Sequence, residues 1–260
     1  MANFFVVLQT GEEEKDLLIA ELFEAGTTGI SEVEEPGGHW TLQASFETQE
    51  QASGFGVAVQ EDTTDWITIS HMAWTSRLVG ERFFFTPSWS EEPTPPGRWR
   101  IHYQDGAACG SGEHPSTRQC LLAMEEFLKP GMRVLDLGCG AGLLSLAAKL
   151  LGAGLIVGVD IEDDSCHLTR QLSGVAVVQG MPDCLAGEKF DLVAANISPS
   201  VLINFADEII RAAKPGGRIV LAGFGIEEAN LVKQVFGLGT LSERTEGEWS
   251  CVVLDLPLDW

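Results

Sequence analysis

Apolar and polar positions follow two rhythms along this chain, and the rhythm changes near residue 114. In the first part, residues 4–9 form a compact β-rich run. The stretch EEEKDLLIAELFEAG then places Leu17, Leu18, Leu22 and Phe23 at helical spacing, which predicts a helix closed by Gly26. Glu12, Glu13 and Glu14 suit the positive end of that helix. Strands are predicted over 29–33 and 40–46, joined by the turn Pro36-Gly37-Gly38, with a further one over 56–60. Strand, helix, strand and strand in this order predict a small α+β domain of ferredoxin-like type over 1–62. The run DWITISHMAWTSRLVG reads as a connecting helix. Strands are expected over 83–85 and 99–103, and the Pro-rich SEEPTPPG between them reads as a surface loop and a domain seam. Residues 63–104 are thus read as a linker region with a helix and strands.

After residue 114 the pattern alternates between helices and unbroken apolar strands. Helices are predicted over 115–128, LLSLAAKLL, 163–172, 202–213 and 227–236. Strands are predicted over MRVLDLG, LIVGVD, VAVVQG, FDLVAANI and GRIVLAG, with two more over 239–244 and 249–256. Continuous apolar strands alternating with helices are what a sheet covered on both faces requires. A doubly wound, mostly parallel α/β sheet over 105–260 is expected, closing on an antiparallel hairpin.

Composition narrows the partners. Sixteen basic residues against 38 acidic ones give a formal net charge of −22. Both parts share it: residues 1–104 carry 17 acids and 5 bases, and residues 105–260 carry 21 and 11. Such a polyanion repels phosphate backbones and anionic lipid, so direct nucleic-acid or membrane binding is not expected, whereas a cationic partner is steered in. The six cysteines form no CxxC pair and no Cys/His cluster at metal-ligand spacing, so they read as free thiols of a reducing compartment and no metal is expected. The opening MANFFVVLQTGEEEK has no basic leader and meets acids at once, so it does not read as a signal peptide. A cytoplasmic location and a monomer are the expectation.

The strongest local chemistry lies at VLDLGCGAG, residues 134–142, which follows a strand and opens a helix. Gly138, Gly140 and Gly142 let the backbone approach a ligand and tolerate positive φ, and the helix N-terminus offers free N–H groups. Asp160 ends the next strand twenty residues past Gly140, where an acid can accept both ribose hydroxyls of a nucleoside. A dinucleotide site would want glycine at position 143, which is Leu143, and Asp136 two residues before the first glycine is unhelpful to a pyrophosphate. An acid there suits a zwitterionic amino acid instead. Asn196 ends the fourth core strand in Asn196-Ile197-Ser198-Pro199, at the strand ends where ligands of such sheets sit. Its side-chain oxygen can orient an amine; alternatively it caps the helix starting near Pro199. His114 is open to two readings, a base or an ordinary loop histidine.

The nine-residue glycine signature resembles motif I of the seven-stranded S-adenosylmethionine (SAM) methyltransferases, and Asp160, FDLVAANI and the KPGG strand extend the likeness over 130–225. Upstream, ACGSGEHPST at 108–117 looks like the A-F-G-T-G-x-H-x-T-T signature of the ribosomal protein L11 methyltransferases (PrmA type). LDLGCGAG, GVDI, VANI, the DW at 65–66 and the late Gly247-Glu248-Trp249 agree with that family. The resemblance implies SAM as cofactor and methylation of lysine side chains, and of the α-amine, of a basic large-subunit ribosomal protein, with an N-terminal domain that recognises it. It implies that the glycine loop covers the cofactor, with Asp136, Gly138, Gly140 and Gly142 forming its cradle. Thr117 would touch its amino-acid end, Asp160 and Ile161 would hold the nucleoside, and Asn196 would lie beside the transferred methyl as the catalytic residue. Cys109 stands where the family has phenylalanine, and Ser111 and Ser116 replace threonines. A methyltransferase for another protein or a small amine, and a non-catalytic SAM-binding module of ribosome assembly, are the alternatives.

Overall fold

The computed structural model describes residues 3–62, 75–103, 112–184, 187 and 189–259. Residues 65–74 of the connecting helix expected over 65–80, and Ala108, Cys109, Gly110 and Ser111 of the glycine loop, lie outside the described residues; the end of that run is not helical, since Arg77–Val79 pairs with Phe83–Phe85 as a strand. The chain divides into two compact units, residues 1–73 and 74–260.

In the first unit the order is β1 (Asn3–Gly11), α1 (Glu12–Glu24), β2 (Gly29–Glu35), β3 (His39–Phe46), a one-turn α2 (Gln49–Ala52) and β4 (Gln60–Asp62). The strands form one antiparallel sheet in the order β2-β3-β1-β4, the ferredoxin-like arrangement. Period-two patterning decides which face is covered: Val6 and Leu8 of β1 and Leu42, Ala44 and Phe46 of β3 are buried with Leu22 of α1 and Ala52 of α2. Three glutamates in the first turn of α1 complement its dipole. Thr48 and Gln51 form a reciprocal capping box on α2. The last strand begins at Gln60, later than the sequence predicts, because Ser53–Phe55 is a turn of 3-10 helix that Gly56 closes at φ +67°, where extended backbone cannot continue.

The second unit opens with a small sheet of β5 (Arg77–Val79), β6 (Phe83–Thr86) and β7 (Trp99–His102), in which β6 and β7 are parallel. There follow α3 (Pro115–Phe127), β8 (Arg133–Leu137), α4 (Leu143–Leu150), β9 (Leu155–Asp160), α5 (Asp163–Ser173) and β10 (Ala176–Gln179). The chain continues through β11 (Phe190–Asn196), α6 (Pro199–Asn204), α7 (Ala206–Ala212), β12 (Ala213–Gly225), α8 (Ile226–Phe236), β13 (Gly239–Glu246) and β14 (Trp249–Asp255). The seven-stranded sheet has the order β10-β9-β8-β11-β12-β14-β13, parallel except for β14, which runs antiparallel to both neighbours. Chain order reverses between β8 and β11, so a crevice opens there at the carboxyl ends of the strands.

Successive residues of the central strands feed opposite faces, which is why the sequence runs read as unbroken apolar stretches. Val134, Leu192 and Val220 pack with α3, α4 and the small sheet through Leu121, Met124, Leu144 and Phe85. Leu135, Val193 and Leu221 pack with α6, α7 and α8 through Leu202, Ile209 and Val232. The single helix expected over 202–213 is two short ones. Pro199 starts the first three residues earlier, since its fixed φ suits the first helical position, and Phe205 at φ −116° breaks the turn. Residue 213 already belongs to β12.

Candidate active site

Every candidate residue that the structure describes gathers at the β8–β11 crossover. The turn after β8 is built by three glycines with left-handed backbone: Gly138 at φ +68°, Gly140 at +51° and Gly142 at +84°. The Gly138 and Cys139 amides both donate to the Val159 carbonyl, at 2.8 and 3.1 Å, which ties the turn to the end of β9. A Cβ on Gly138 would lie 2.1 Å from Ile197 Cγ2, and one on Gly142 would lie 2.7 Å from Thr169 Cα. The turn is therefore glycine-built for close packing as well as for backbone freedom.

Asp136 is 1% exposed in β8, one strand position before the turn. Ser145 Oγ donates to its Oδ2 at 2.6 Å, while Oδ1 has no partner among the described residues. Burial pushes this carboxyl up to about 6, against the opposing Ser145 hydrogen bonds; the Asp160 charge adds to the rise. A buried acceptor left unpaired is costly, so the oxygen is a site for a cation or a donor. Because the folded pKa exceeds the unfolded one, the folded chain holds this proton more tightly. Stability without ligand therefore falls as pH rises from about 4 to about 6, by roughly 3 kcal/mol in all. An ammonium seated at Oδ1 would favour the ionised form and reverse that trend. Affinity for a ligand carrying an α-ammonium is expected to strengthen about tenfold or more between pH 5 and pH 7 in calorimetric titrations, and to lose this dependence in Asp136→Asn.

Asp160 closes β9 with both oxygens already engaged once: Gly140 N donates to Oδ2 at 2.8 Å and Glu162 N to Oδ1 at 3.0 Å. Each carboxylate oxygen retains a second acceptor position, enough for two vicinal hydroxyls. Thr169 Oγ1 donates to the Gly140 carbonyl at 2.9 Å and holds the turn from the α5 side. Ile161, beside Asp160, is 57% exposed, as a platform for a planar ring would be. Cys139 is buried and its thiol is pushed up to about 12, mainly by burial and then by the Asp136 charge, which makes it an inert filler of the turn.

Across the crossover, Ala195 of β11 pairs with Leu137, so Asn196 lies level with the glycine turn. Its Nδ2 donates to Thr117 Oγ1 at 3.1 Å; among the described residues its Oδ1 has no partner. Ser198, not Asn196, takes the cap position of α6. Thr117 is buried in the first turn of α3, which starts with Pro115 and is capped by His114. The Ser116 amide donates to His114 Nδ1 at 3.3 Å, and Ser116 Oγ lies 2.6 Å from the same nitrogen. Nδ1 is therefore an acceptor, and in the neutral ring the proton sits on Nε2. Burial, then the Arg118 charge, holds this imidazole below its ordinary pKa. His114 is thus a neutral helix cap at the loop's edge. Its ring meets Trp249 edge-on, with centroids 4.3 Å apart.

Replacing Thr117 with valine keeps the volume but removes the acceptor that fixes the Asn196 amide. Turnover of an amine substrate is expected to fall about tenfold with little change in melting temperature, checked by steady-state rates beside thermal unfolding.

A family model described as ribosomal protein L11 methyltransferase (PrmA) matches residues 9–256. The chain belongs to this family. Among curated members of the L11 methyltransferase family, that of Burkholderia cenocepacia is 36% identical over 183 residues, covering 69% of this chain and 61% of that protein. That of Burkholderia ambifaria is 39% identical over 176 residues, covering 66% and 58%. The chain thus matches about three fifths of the length of these relatives. A crystal structure of the ribosomal protein L11 methylase of Lactobacillus delbrueckii subsp. bulgaricus superimposes with a TM-score of 0.63 at 21% identity, over 70% of this chain and 98% of that one, a likeness of fold. Within the family frame, the sequence alone singled out the glycines, Asp136, Asp160, Thr117 and Asn196. It missed Ser145 and Thr169, the hydroxyls that hold Asp136 and the glycine turn. A signal for Ser145 was present: one serine inside the otherwise apolar LLSLAAKLL, three residues past Gly142.

Proposed function

We propose that this chain transfers methyl groups from SAM to amino groups of ribosomal protein L11, on lysine side chains and the α-amine. The observation that carries the reading is Asn196. Its amide nitrogen is committed to Thr117, and among the described residues its oxygen is unpaired at the crossover, level with the glycine turn. The residues present fit the cofactor. The unpaired, buried Asp136 oxygen suits the ammonium of an amino-acid tail, the remaining acceptor positions of Asp160 suit the ribose hydroxyls, and Ile161 offers an apolar surface for a base. Gly138, Gly140 and Gly142 would keep side chains out of its way, and Thr117 would stand beside its tail. When bound, SAM supplies an electrophilic methyl group on a sulfonium.

What the chain must then do is deliver a neutral amine in line. A lysine amine has an ordinary pKa of about 10.4 and arrives protonated, so a site poor in water and lined by uncharged groups favours loss of that proton. His114 is neutral and Asn196 is uncharged, so neither stabilises an ammonium as a carboxylate would. The Asn196 oxygen would accept an N–H of the amine and aim its lone pair. The Asn196 oxygen would keep that N–H in place while the nitrogen takes the methyl group, and the amine's surplus proton would pass to water.

Residues 1–62 would recognise the ribosomal protein, residues 63–104 would link, and residues 105–260 would catalyse. A net charge of −22 steers a lysine-rich substrate inward and rejects nucleic acid. Among the described residues no helix is long and apolar enough to cross a membrane. A cytoplasmic monomer completes the proposal. The test is mass spectrometry of purified L11 after incubation with this chain and SAM, with Asn196→Ala in parallel. Methyl additions on lysines or the N-terminus, lost in the variant, are expected. SAM binding without methylation would point to another substrate or a non-catalytic module, and absence of SAM binding would overturn the proposal.

A further inference from the structure

Beside the groups assigned to cofactor and amine lies an ion pair whose arginine is buried while its glutamate stays 37% exposed. Arg118, one residue past Thr117 in α3, is 8% exposed. Its Nε donates to Glu246 Oε1 at 3.0 Å and approaches Oε2 at 3.3 Å; Nη2 also donates to Oε1, and Nη1 donates to the Glu113 carbonyl. Gln119 Nε2 completes the carboxylate, donating to Oε2 at 3.0 Å. These bonds hold Glu246 below the usual glutamate range, with Arg118 as the main cause and Arg77 as a further positive neighbour. The partners stand 128 residues apart in sequence.

A pair whose carboxylate still meets water adds little to stability, because solvent screens the attraction; the better-attested use of such charge pairs is to specify one arrangement over others. Here two large apolar clusters already hold the unit together. What the pair specifies can be read from its neighbours. Arg118 adjoins Thr117, which holds the Asn196 amide, and is four residues past His114. Glu246 ends β13, and Trp249, against which His114 rests, opens β14 three residues later. The Arg118 fork therefore bolts the first turn of α3 to the β13–β14 hairpin. A lysine at 118 would keep the charge but not the fork that reaches Glu246 and Glu113 together.

We propose that Arg118 and Glu246 are positioning residues of the transfer reaction: they set the register between the first turn of α3 and the β13–β14 hairpin, and through it the places of Thr117, Asn196, His114 and Trp249. The proposal rests on the function given above. Neither residue touches the reacting atoms, and of the residues they place only Thr117 stands beside the cofactor, held there also by Asn196, so the effect must appear in turnover far more than in cofactor affinity.

The full chain carrying Arg118→Met together with Glu246→Leu tests this, because an apolar pair of similar size keeps the fold while discarding the register. Arg118→Lys is the conservative companion. SAM affinity by calorimetry and melting temperature are expected to stay close to those of the unaltered chain. Turnover on L11 is expected to fall on the order of 30- to 100-fold, the scale of a displacement of about 1 Å at a reacting centre. Arg118→Lys should recover only a small part of it. A second readout needs no activity: the His114 imidazole resonances, assigned with His114→Gln, should move toward those of a free histidine in the double variant while the other histidines stay. Unchanged turnover, or lost turnover with unmoved His114 resonances, would overturn the positioning role, as would lost SAM affinity, which would make the pair part of the cofactor site. An unaltered chain that binds SAM, shows the shifted His114 signal and methylates nothing would overturn the proposed function instead, leaving the register itself read by His114.

Discussion

Asn196→Ala is expected to remove most methyl transfer while costing SAM less than about tenfold in affinity. Among the described residues the side chain makes one hydrogen bond, from its Nδ2 to Thr117 Oγ1, and none to Asp136, Asp160 or the glycine turn, so its removal leaves their hydrogen bonds in place. What is lost is the acceptor proposed to meet the amine as its lone pair turns toward the methyl carbon. Interactions that strengthen only as charge redistributes are worth about 100- to 1000-fold in rate when deleted, whereas one neutral hydrogen bond in the ground state is worth about tenfold or less. Asn196→Asp is the sharper companion. It keeps an acceptor but brings a negative charge that holds the incoming amine as an ammonium, so its rate should recover only as pH rises toward the lysine range. Single-turnover methyl incorporation, measured beside calorimetric SAM affinity, separates the two quantities. An Asn196→Ala chain that transfers methyl at the unaltered rate would remove Asn196 from the mechanism.

Gly142→Ala is expected to cost both cofactor binding and stability. The residue sits at φ +84°, where an alanine costs about 1–2 kcal/mol. The added Cβ would lie 2.7 Å from the Cα of Thr169, and backbone at the middle of a helix has no free end to swing aside. Overlap of this kind costs about 1–3 kcal/mol more, and a unit of this size loses about 2–4 °C of melting temperature for each kcal/mol. A fall of about 5–15 °C is therefore expected in thermal unfolding. The turn can relieve the overlap only by moving away from α5, and that breaks the bond from Thr169 to the Gly140 carbonyl. Gly140 N is the donor to Asp160 Oδ2, so the acid proposed to hold the ribose shifts with it. A variant that unfolds at the unaltered temperature and binds SAM normally would mean that the turn is less constrained than its geometry states.

The two predictions rest on parts of the molecule that differ in how far the sequence reveals them. The central sheet was legible because its strands are covered on both faces, so VLDLG, LIVGVD and FDLVAAN contain no polar alternation to obscure them. Asp160 and the three glycines were legible because one strand–turn–helix–strand unit holds them all within 23 residues of one another. The elements that differ did so for local reasons: the backbone of Phe205 splits one amphipathic stretch into α6 and α7, and Gly56 delays β4. Long-range pairings were beyond periodicity altogether. Thr117 and Asn196 are 79 residues apart, and nothing in either neighbourhood announces the other; only the family likeness placed both in one site. Arg118 and Glu246 had no such signal, because an arginine in a helix and a glutamate before a turn are ordinary surface residues until the fold buries one against the other. His114 shows the same limit at close range. Its role is decided by which ring nitrogen the Ser116 amide reaches, and composition does not encode that.

The order of the final strands bears on how the chain leaves the ribosome. β13 is synthesised before β14, yet in the sheet it borders β14 alone, and β14 lies between it and β12. Until β14 emerges, β12 presents an open edge and β13 has no strand to join, so neither can be completed in the order of synthesis. Glu246 and Trp249 belong to these two strands. The hairpin that Arg118 grips is thus among the last parts of the unit to be assembled, and a nascent chain halted after β13 would hold a finished glycine turn with no completed hairpin against α3.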